Sequence, residues 1–160
     1  MRNPRLSDKA RFRSGFSLLE IMIVVMITGI LAAIAVPRYA DVLSRHSVES
    51  AARRIALDLK NARSLAEKKS TAVPVTFTQG TSSYLITGMP GEADPTLDYS
   101  VQLGVVPYRS SLTAVSLSDG GNVITFSGFG FPDVTGSVQV ECGGYVRTVL
   151  VDANGQVNVQ

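Results

Sequence analysis

A long apolar stretch near the N-terminus is the feature that most restricts how this chain can fold. From position 16 to position 36 the sequence reads FSLLEIMIVVMITGILAAIAV, with one carboxylate and no basic residue. As an α-helix with a rise of about 1.5 Å per residue, this segment spans roughly 31 Å, close to the hydrocarbon thickness of a bilayer. The segment is therefore long enough and apolar enough to cross a membrane as one helix.

Charge is unevenly distributed around this segment. The 160 residues have a formal net charge of +2, yet basic side chains crowd the first fifteen positions against the single acid Asp8. They are Arg2, Arg5, Lys9, Arg11 and Arg13. Basic residues that directly precede a membrane helix stay on the cytoplasmic side. We therefore expect a single-pass topology with the N-terminus inside and everything after Val36 outside.

Three fates are compatible with this N-terminus: a retained signal anchor, a secretory signal cut near Ala33-Ile34-Ala35, and a leader cut at Gly15-Phe16. Glu20 argues against the secretory signal, because a carboxylate within an apolar run costs about 2.5 to 3.5 kcal/mol on insertion scales. A helical apolar stripe also continues beyond the membrane segment. It consists of Tyr39, Val42, Leu43, Val48, Ala52, Ile55, Leu59, Ala62 and Leu65. Both features favour one long helix that is retained.

The stretches 15–25 and 29–39 resemble the N-terminal signature of type IV pilins and type II secretion pseudopilins. They combine a basic leader ending in Gly15, a phenylalanine at position 16, Glu20 and a proline at the membrane exit. The resemblance implies that a prepilin peptidase cuts between Gly15 and Phe16 and N-methylates Phe16. It also implies assembly with other pilin or pseudopilin subunits at an inner-membrane platform, with the C-terminal domain in the periplasm or in a filament.

Glu20 has a physical role in such an assembly. An N-terminal ammonium and a carboxylate are each costly in an apolar filament core, so pairing Glu20 with the Phe16 amine of a neighbouring subunit would offset both costs. The alternative is that Glu20 lies near the interface and reaches the head groups. Pro37 lacks an amide hydrogen and Gly29 weakens the same helix, so we expect a kink or local loosening there. A fixed bend without a mechanistic role is the alternative.

The hydrophobic period changes after residue 69. Residues 37–69 form an amphipathic continuation of the helix, whose apolar side should cover a sheet. Alternating apolar residues then predict short antiparallel strands at 73–77, 101–105, 123–126, 138–142, 146–151 and 157–159. Turn formers lie at 80–83, 88–91, 119–122, 131–133 and 152–155, the last of which predicts a final hairpin.

We therefore predict an α+β, type IV pilin-like fold in which one long N-terminal helix, part membrane segment and part amphipathic, packs on antiparallel sheets. The expected organisation is a leader at 1–15 that is removed, a transmembrane and filament-core helix at 16–36, its amphipathic continuation at 37–69 and a β-rich domain at 70–160. The stretches Leu59-Lys-Asn-Ala-Arg63 and Gly144-Tyr-Val-Arg147 belong to a wider resemblance to H-type minor pseudopilins and related minor pilins. The lone Cys142 also differs from the cysteine pair common in major pilins.

Motifs for catalysis are missing from the sequence, so an enzyme and a cofactor are not expected. His46 is the sole histidine, which argues against a metal site. Asp119 and Asp152 lie in acidic turns without the ligand spacing of a calcium loop, so turn formation is the expected role of both. Cys142 lies in a predicted strand and is expected to pack as a small apolar side chain.

The predicted function is a minor subunit of a type II secretion pseudopilus, for protein export, or of a type IV pilus. The alternatives are a major filament subunit, a DNA-binding minor pilin of an uptake pilus, and a membrane-anchored binding module that does not assemble. Charge argues against DNA, because Arg109 and Arg147 are the only basic residues after position 70. The same stretch contains seven acidic residues: Glu92, Asp94, Asp98, Asp119, Asp133, Glu141 and Asp152. Nucleic acid is therefore not an expected partner.

Overall fold

A computed structural model describes residues 15–92 and 94–160, and the side chain of Pro37 is not among the groups it describes. The predicted leader therefore lies, except for Gly15, outside the described residues. The chain divides into two compact units, one that ends at Tyr39 and one from Ala40 to Gln160. Each unit is described by itself below.

One helix accounts for all of the helical structure in the described residues. Helix α1 extends from Leu18 to Lys69 without interruption. It begins after Ser17, whose carbonyl accepts the amide hydrogen of Ile21 at 3.2 Å. It ends where Ser70 adopts a positive φ of 50°, and the amide of Thr71 donates back to the carbonyl of Ala66. The prediction that one helix continues well past the apolar segment is confirmed.

Eight antiparallel strands form two sheets in the second unit. Their bounds are β1 Val73–Thr78, β2 Ser83–Pro90, β3 Asp98–Gln102, β4 Ser111–Leu117, β5 Val123–Phe126, β6 Gly136–Cys142, β7 Tyr145–Val151 and β8 Val157–Val159. The first sheet has the order β3-β2-β1-β5 and the second has the order β4-β6-β7-β8. Strands β7 and β8 form the final hairpin that the turn at 152–155 predicts. The predicted α+β fold is confirmed.

A single apolar core joins the helix to both sheets. The helix contributes a face of small and branched residues, including Ala52, Ile55 and Leu59, each at most 1% exposed. The sheets contribute alternating residues such as Phe77 and Val140. Strands β1 and β5 and the centre of β6 bury every second side chain, and the alanines of α1 allow the sheet side chains to approach the helix closely. The amphipathic part of the helix therefore stabilises the sheets that cover it.

The strand prediction is wrong at three strands, β2, β3 and β4. Strands β2 and β4 are missing from it, because their apolar residues are interrupted by polar and small ones. The sequence pattern assigns residues 88–90 to a turn, but they belong to the end of β2, where the pairing register with β3 shifts between Ile86 and Pro90. Strand β3 ends at Gln102, so Leu103 and Val105 lie beyond it, although Leu103 is fully buried.

Candidate assembly site

The apolar segment of α1 belongs to the first of the two units. Every residue from 16 to 36 is exposed, with Phe16 at 78%, Met26 at 67% and Ile27 at 52%. By length and composition this is the one helix in the described residues that is long and apolar enough to cross a membrane. An exposed apolar surface of this extent exceeds what soluble monomers present to water. A membrane or other molecules can remove such a surface from water.

The predicted processing and assembly residues lie together at the start of this segment. Gly15, Phe16 and Ser17 precede the helix, and Glu20 lies in its first turn. Glu20 is exposed and is the one ionisable side chain between positions 16 and 36. A carboxylate at this position also interacts favourably with the helix dipole, so its local effect on the helix must be separated from any effect on assembly. The roles predicted for these residues stay predictions.

Gly29 and Pro37 lie further along the same helix, away from the cleavage residues. A Cβ added to Gly29 would meet nothing within 4 Å, so close packing inside one chain is not the reason for this glycine. The hydroxyl of Thr28 donates to the carbonyl of Val24 at 2.7 Å, a local bond of the kind that bends helices slightly. Helical structure continues across Gly29 and Pro37. The kink or loosening expected at these residues stays a prediction.

A buried polar cluster at Asp58 is not evident from the sequence. The amphipathic pattern places Asp58 among the charges of the polar helix side, but its side chain is only 3% exposed. Its Oδ2 accepts hydrogen bonds from the Tyr84 hydroxyl at 2.5 Å, the Tyr99 hydroxyl at 2.9 Å and Arg54 Nε at 3.0 Å. The Arg54 guanidinium also donates to the Tyr99 hydroxyl and to Glu92. This cluster joins α1 to strands β2 and β3.

The cluster raises the pKa of three of its members, Tyr84, Tyr99 and Arg54. Burial raises the pKa of Tyr84, and the negative charge of Asp58 and the hydrogen bond to it add to that rise. Burial also raises the pKa of Tyr99, to about 12. Burial opposes the charge of Arg54, but hydrogen bonds to Tyr99 and Glu92 and the charge of Asp58 raise its pKa above the usual value. The tyrosines therefore remain neutral donors to one carboxylate.

Helical spacing was the signal that could have revealed the burial of Asp58, although not its hydrogen-bond donors. Asp58 lies three residues after Ile55 and four before Ala62, which places it within the buried stripe instead of opposite it. A carboxylate in that position needs buried donors, because an unpaired charge there would be strongly destabilising. The tyrosines on two adjacent strands supply them.

A second polar cluster connects α1 to the other sheet. The Glu49 carboxylate accepts hydrogen bonds from Arg53 Nε and Arg147 Nε, both at 2.8 Å. The hydrogen bond from Arg147, followed by the one from Arg53, holds the pKa of Glu49 below its usual value. One turn earlier, the Arg45 guanidinium lies 4.6 Å from the centre of the Tyr145 ring. Arg147, on which the DNA alternative depends, is thus engaged in an intramolecular ion pair.

The remaining sequence candidates have ordinary structural surroundings. His46 is exposed on α1, and within residues 15–92 and 94–160 no group of three or more His, Cys, Asp or Glu could hold a metal ion. The Asp119 carboxylate accepts the amide of Gly121, and that of Asp152 accepts the amides of Asn154 and Gln156. These are the bonds of Asx turns. Cys142 is half-buried in β6 against the core.

An uncovered apolar helix segment and an amphipathic continuation packed on antiparallel sheets define the class of type IV pilin-like proteins. The type IV minor pilin FimU of Pseudomonas aeruginosa has the same fold, with a TM-score of 0.54 and 15% identity over 72% of this chain and 90% of that chain. A prokaryotic N-terminal methylation motif matches residues 10–36. The chain belongs to the family described as type II transport protein GspH, which matches residues 51–155, more than half of the sequence.

Relatives at the sequence level are fimbrial proteins. A fimbrial protein of Pseudomonas aeruginosa is 40% identical over 79 residues, which cover 43% of this chain and 51% of that protein. The pilin-like protein PilA1 of Thermus thermophilus is 26% identical over 157 residues, or 92% of this chain and 99% of that protein. The chain spans about half the length of the first of these curated relatives. The predicted kinship with pilins and pseudopilins is confirmed.

Proposed function

We propose that this protein is a membrane-anchored minor pilin or pseudopilin that assembles into the pseudopilus of a type II secretion system or into a type IV pilus. The observation that carries the proposal is the helix segment from 16 to 36, which is apolar, exposed throughout and interrupted by the single charge of Glu20. A membrane can cover this segment before assembly, and the helices of other subunits can cover it afterwards. Family membership and the FimU-like fold support the same function.

Processing would prepare the chain for assembly. A prepilin peptidase would remove residues 1–15 and N-methylate Phe16, as the methylation motif at residues 10–36 suggests. Residues 16–36 would then act first as a single membrane anchor, with the N-terminus inside, and later as part of the filament core. Residues 37–69 would continue the helix and residues 70–160 would form the domain outside the membrane. An inner-membrane assembly platform would extract the subunit from the bilayer.

Glu20 would select the position of each new subunit. After cleavage the Phe16 amine carries a positive charge four residues before Glu20, and both charges are costly in an apolar core. If the amine of one subunit pairs with Glu20 of its neighbour, both costs are offset. The two charges meet at only one axial displacement between the subunits, so the pairing would fix that displacement. Pilin and pseudopilin subunits are generally not enzymes, and we propose no catalytic role for this chain.

DNA uptake is not favoured as the function. Beyond position 70 the chain has two basic residues, and one of them, Arg147, is bound to Glu49. Proteins that depend on the phosphate backbone for affinity use several basic contacts. The acidic sheet domain would repel a nucleic acid.

Co-production with a prepilin peptidase tests the proposal directly. Mass measurement of the membrane-extracted protein should show loss of residues 1–15 and one added methyl group on Phe16. An inactive peptidase is the control and should leave the full chain unmodified. Secretory cleavage near Ala35 would instead release a soluble domain without the apolar helix. Either that released domain or an intact N-terminus in the presence of active peptidase would contradict the proposed function.

A further inference from the structure

A cleft lies on one flank of α1, where the helix meets strands β7 and β8. It has a volume of about 520 Å³. Its apolar lining residues are Ala56, Leu57 and Val159, and Leu57 is 53% exposed. Its rim carries the three cations of Arg53, Lys60 and Arg147. We name this surface the basic cleft.

The charge of the basic cleft is only partly compensated. Glu49 is the one carboxylate that lines it, and its two oxygens are occupied by Arg53 and Arg147. Lys60 is exposed and forms no salt bridge with the described residues. Three cations around one carboxylate give the rim an excess of positive charge. Such a surface attracts an acidic partner and can bury an apolar side chain of that partner against Leu57.

The adjoining flank of the same helix turns, separated from the basic cleft by Leu57, has the complementary chemistry. Arg54, next in sequence to Arg53, points to this flank and binds Glu92 on the connection between β2 and β3. The same connection carries Asp94 and ends at Asp98, the first residue of β3, and it also presents Leu97, which is 64% exposed. We name residues 92 and 94–98 the acidic loop. One subunit of this fold thus presents a basic cleft on one side of Leu57 and carboxylates beside a second exposed leucine, Leu97, on the other.

Two different and complementary surfaces on one molecule favour head-to-tail association. Such a heterologous contact does not have to close on itself and can continue along a filament, whereas a self-complementary patch gives closed dimers. We propose that the basic cleft is the docking site for an acidic, apolar-tipped loop of a neighbouring pilin-like subunit. This inference rests on the proposed function and adds to it a contact outside the apolar helix segment.

Photo-crosslinking in cells that assemble the filament tests the inference. A photoreactive amino acid replaces Leu57 in the full-length chain. Because Leu57 also lies beside Glu92 of its own chain, only crosslinked species with the combined mass of two subunits are analysed, and mass spectrometry identifies the crosslinked residues of the partner. The expected partner segment belongs to a pilin-like subunit and contains at least two carboxylates next to an apolar residue; in a second copy of this chain it would be the acidic loop. Lys60→Glu should lower the crosslink yield at least about fivefold, because it converts a rim cation into an anion.

The matched control is Lys68→Glu, which makes the same charge change at an exposed position of α1 outside the cleft and should leave the yield unchanged. In the charge-swap experiment, a carboxylate of the mapped partner segment is replaced by lysine. This partner variant should restore the crosslink yield of the Lys60→Glu chain. Crosslinks to nucleic acid, to lipid or to a protein without the pilin fold would overturn the inference. So would a yield that Lys60→Glu does not lower, or no crosslink at all.

Filament content measured in the same cells separates this inference from the proposed function. If the wild-type chain is processed and enters filaments but the crosslink fails, only the docking site is wrong. If the wild-type chain is absent from filaments, both are overturned.

Discussion

The two parts of helix α1 have the same backbone structure and opposite surroundings. Up to Val36 every side chain of the helix is exposed, including the bulkiest apolar ones. From Val48 to Ala66 most apolar side chains form a buried face beneath two sheets, and Leu57 is the exposed exception. Apolar surface is stabilising only where something removes it from water. The second part is therefore completed by its own chain, whereas the first part requires a membrane or other subunits.

The carboxylates of the two parts differ in whether the chain itself supplies their partners. Glu49 and Asp58 each bind cationic or hydroxyl donors supplied by the chain itself. Glu20 forms no hydrogen bond or salt bridge with the described residues. Within the covered part, each of these charges is matched locally. If residues 16–36 are buried in a filament, the same rule predicts that Glu20 pairs with a group of another molecule.

Glu20→Gln should have the largest effect on assembly and almost none on folding. Glutamine retains the size and the hydrogen-bonding capacity at the first helical turn but removes the charge. The variant leaves the Phe16 ammonium of the neighbouring subunit without its carboxylate partner. An uncompensated buried charge costs about 3 to 5 kcal/mol, and each 1.4 kcal/mol is a factor of ten, so the amount of chain in sheared filaments should fall at least about tenfold. The measurement is quantitative immunoblotting of sheared filaments against total membranes.

Ser17→Ala provides the control for local helix effects, because Ser17 directly precedes the helix and its replacement weakens the N-terminus without removing a charge. Both variants must be cleaved by the peptidase and present in the membrane at wild-type levels. Normal filament content of Glu20→Gln would show that the carboxylate is not needed for assembly. The absence of a partner for Glu20 among the described residues would then have no bearing on assembly.

Asp58→Ala should strongly destabilise the covered part. The substitution leaves Arg54 and the hydroxyls of Tyr84 and Tyr99 without their common acceptor, and loss of one partner from a buried ion pair costs about 3 to 5 kcal/mol. Chemical denaturation of the detergent-solubilised full-length chain measures the free energy of unfolding. Asp58→Asn keeps one acceptor oxygen and should lose less. Equal stability of wild type and Asp58→Ala would contradict the structural role of the cluster.

Two isoleucines of the same helix test the contrast in burial directly. Ile55 is fully buried, whereas Ile27 is 52% exposed. Ile55→Ala should lower the free energy of unfolding of the sheet domain by about 2 to 5 kcal/mol, because it removes buried methyl groups and leaves a cavity. Ile27→Ala makes the same chemical change and should leave that stability within about 0.5 kcal/mol. Similar losses in both variants would show that the apolar segment also stabilises the domain.

Much of the fold is predictable from hydrophobic periodicity, but the polar contacts are not. The change from a helical to an alternating pattern near Lys69 predicts the end of α1 and the antiparallel strands after it. The pattern cannot show that Asp58 is satisfied, since its donors lie on strands β2 and β3, and β2 is itself missing from the prediction. Likewise, the pairing of Glu49 with Arg147 joins residues 98 positions apart and depends on the packing of α1 against β7. Gly15, Phe16 and Glu20 are found from a local sequence signature, and the processing and assembly roles expected of them stay predictions.

Tyr99→Phe should change how stability depends on alkaline pH, with the smallest effect of the four. In the folded state burial raises the pKa of Tyr99 from 10.0 to about 12. Below pH 10 the hydroxyl is protonated in both folded and unfolded chains, so its contribution to stability is fully present. Between pH 10 and 12 the unfolded chain loses the proton while the folded chain keeps it, so stability falls as the pH rises. The wild type should therefore lose more stability across this range than Tyr99→Phe.

The measurement is a series of denaturation curves from about pH 7 to about pH 12 for both proteins. Near neutral pH the variant should be less stable by about 1 kcal/mol, because the hydroxyl no longer donates to Asp58. The difference should shrink as the pH approaches the folded-state pKa of Tyr99, and lysine titration cancels because both chains contain the same lysines. Tyr84 has a raised pKa as well, so the slope of the variant is reduced but not abolished. Parallel pH profiles would mean that the Tyr99 hydroxyl does not donate to the buried Asp58 carboxylate. Asp58 would then lack a partner that the contrast with Glu20 assigns to it.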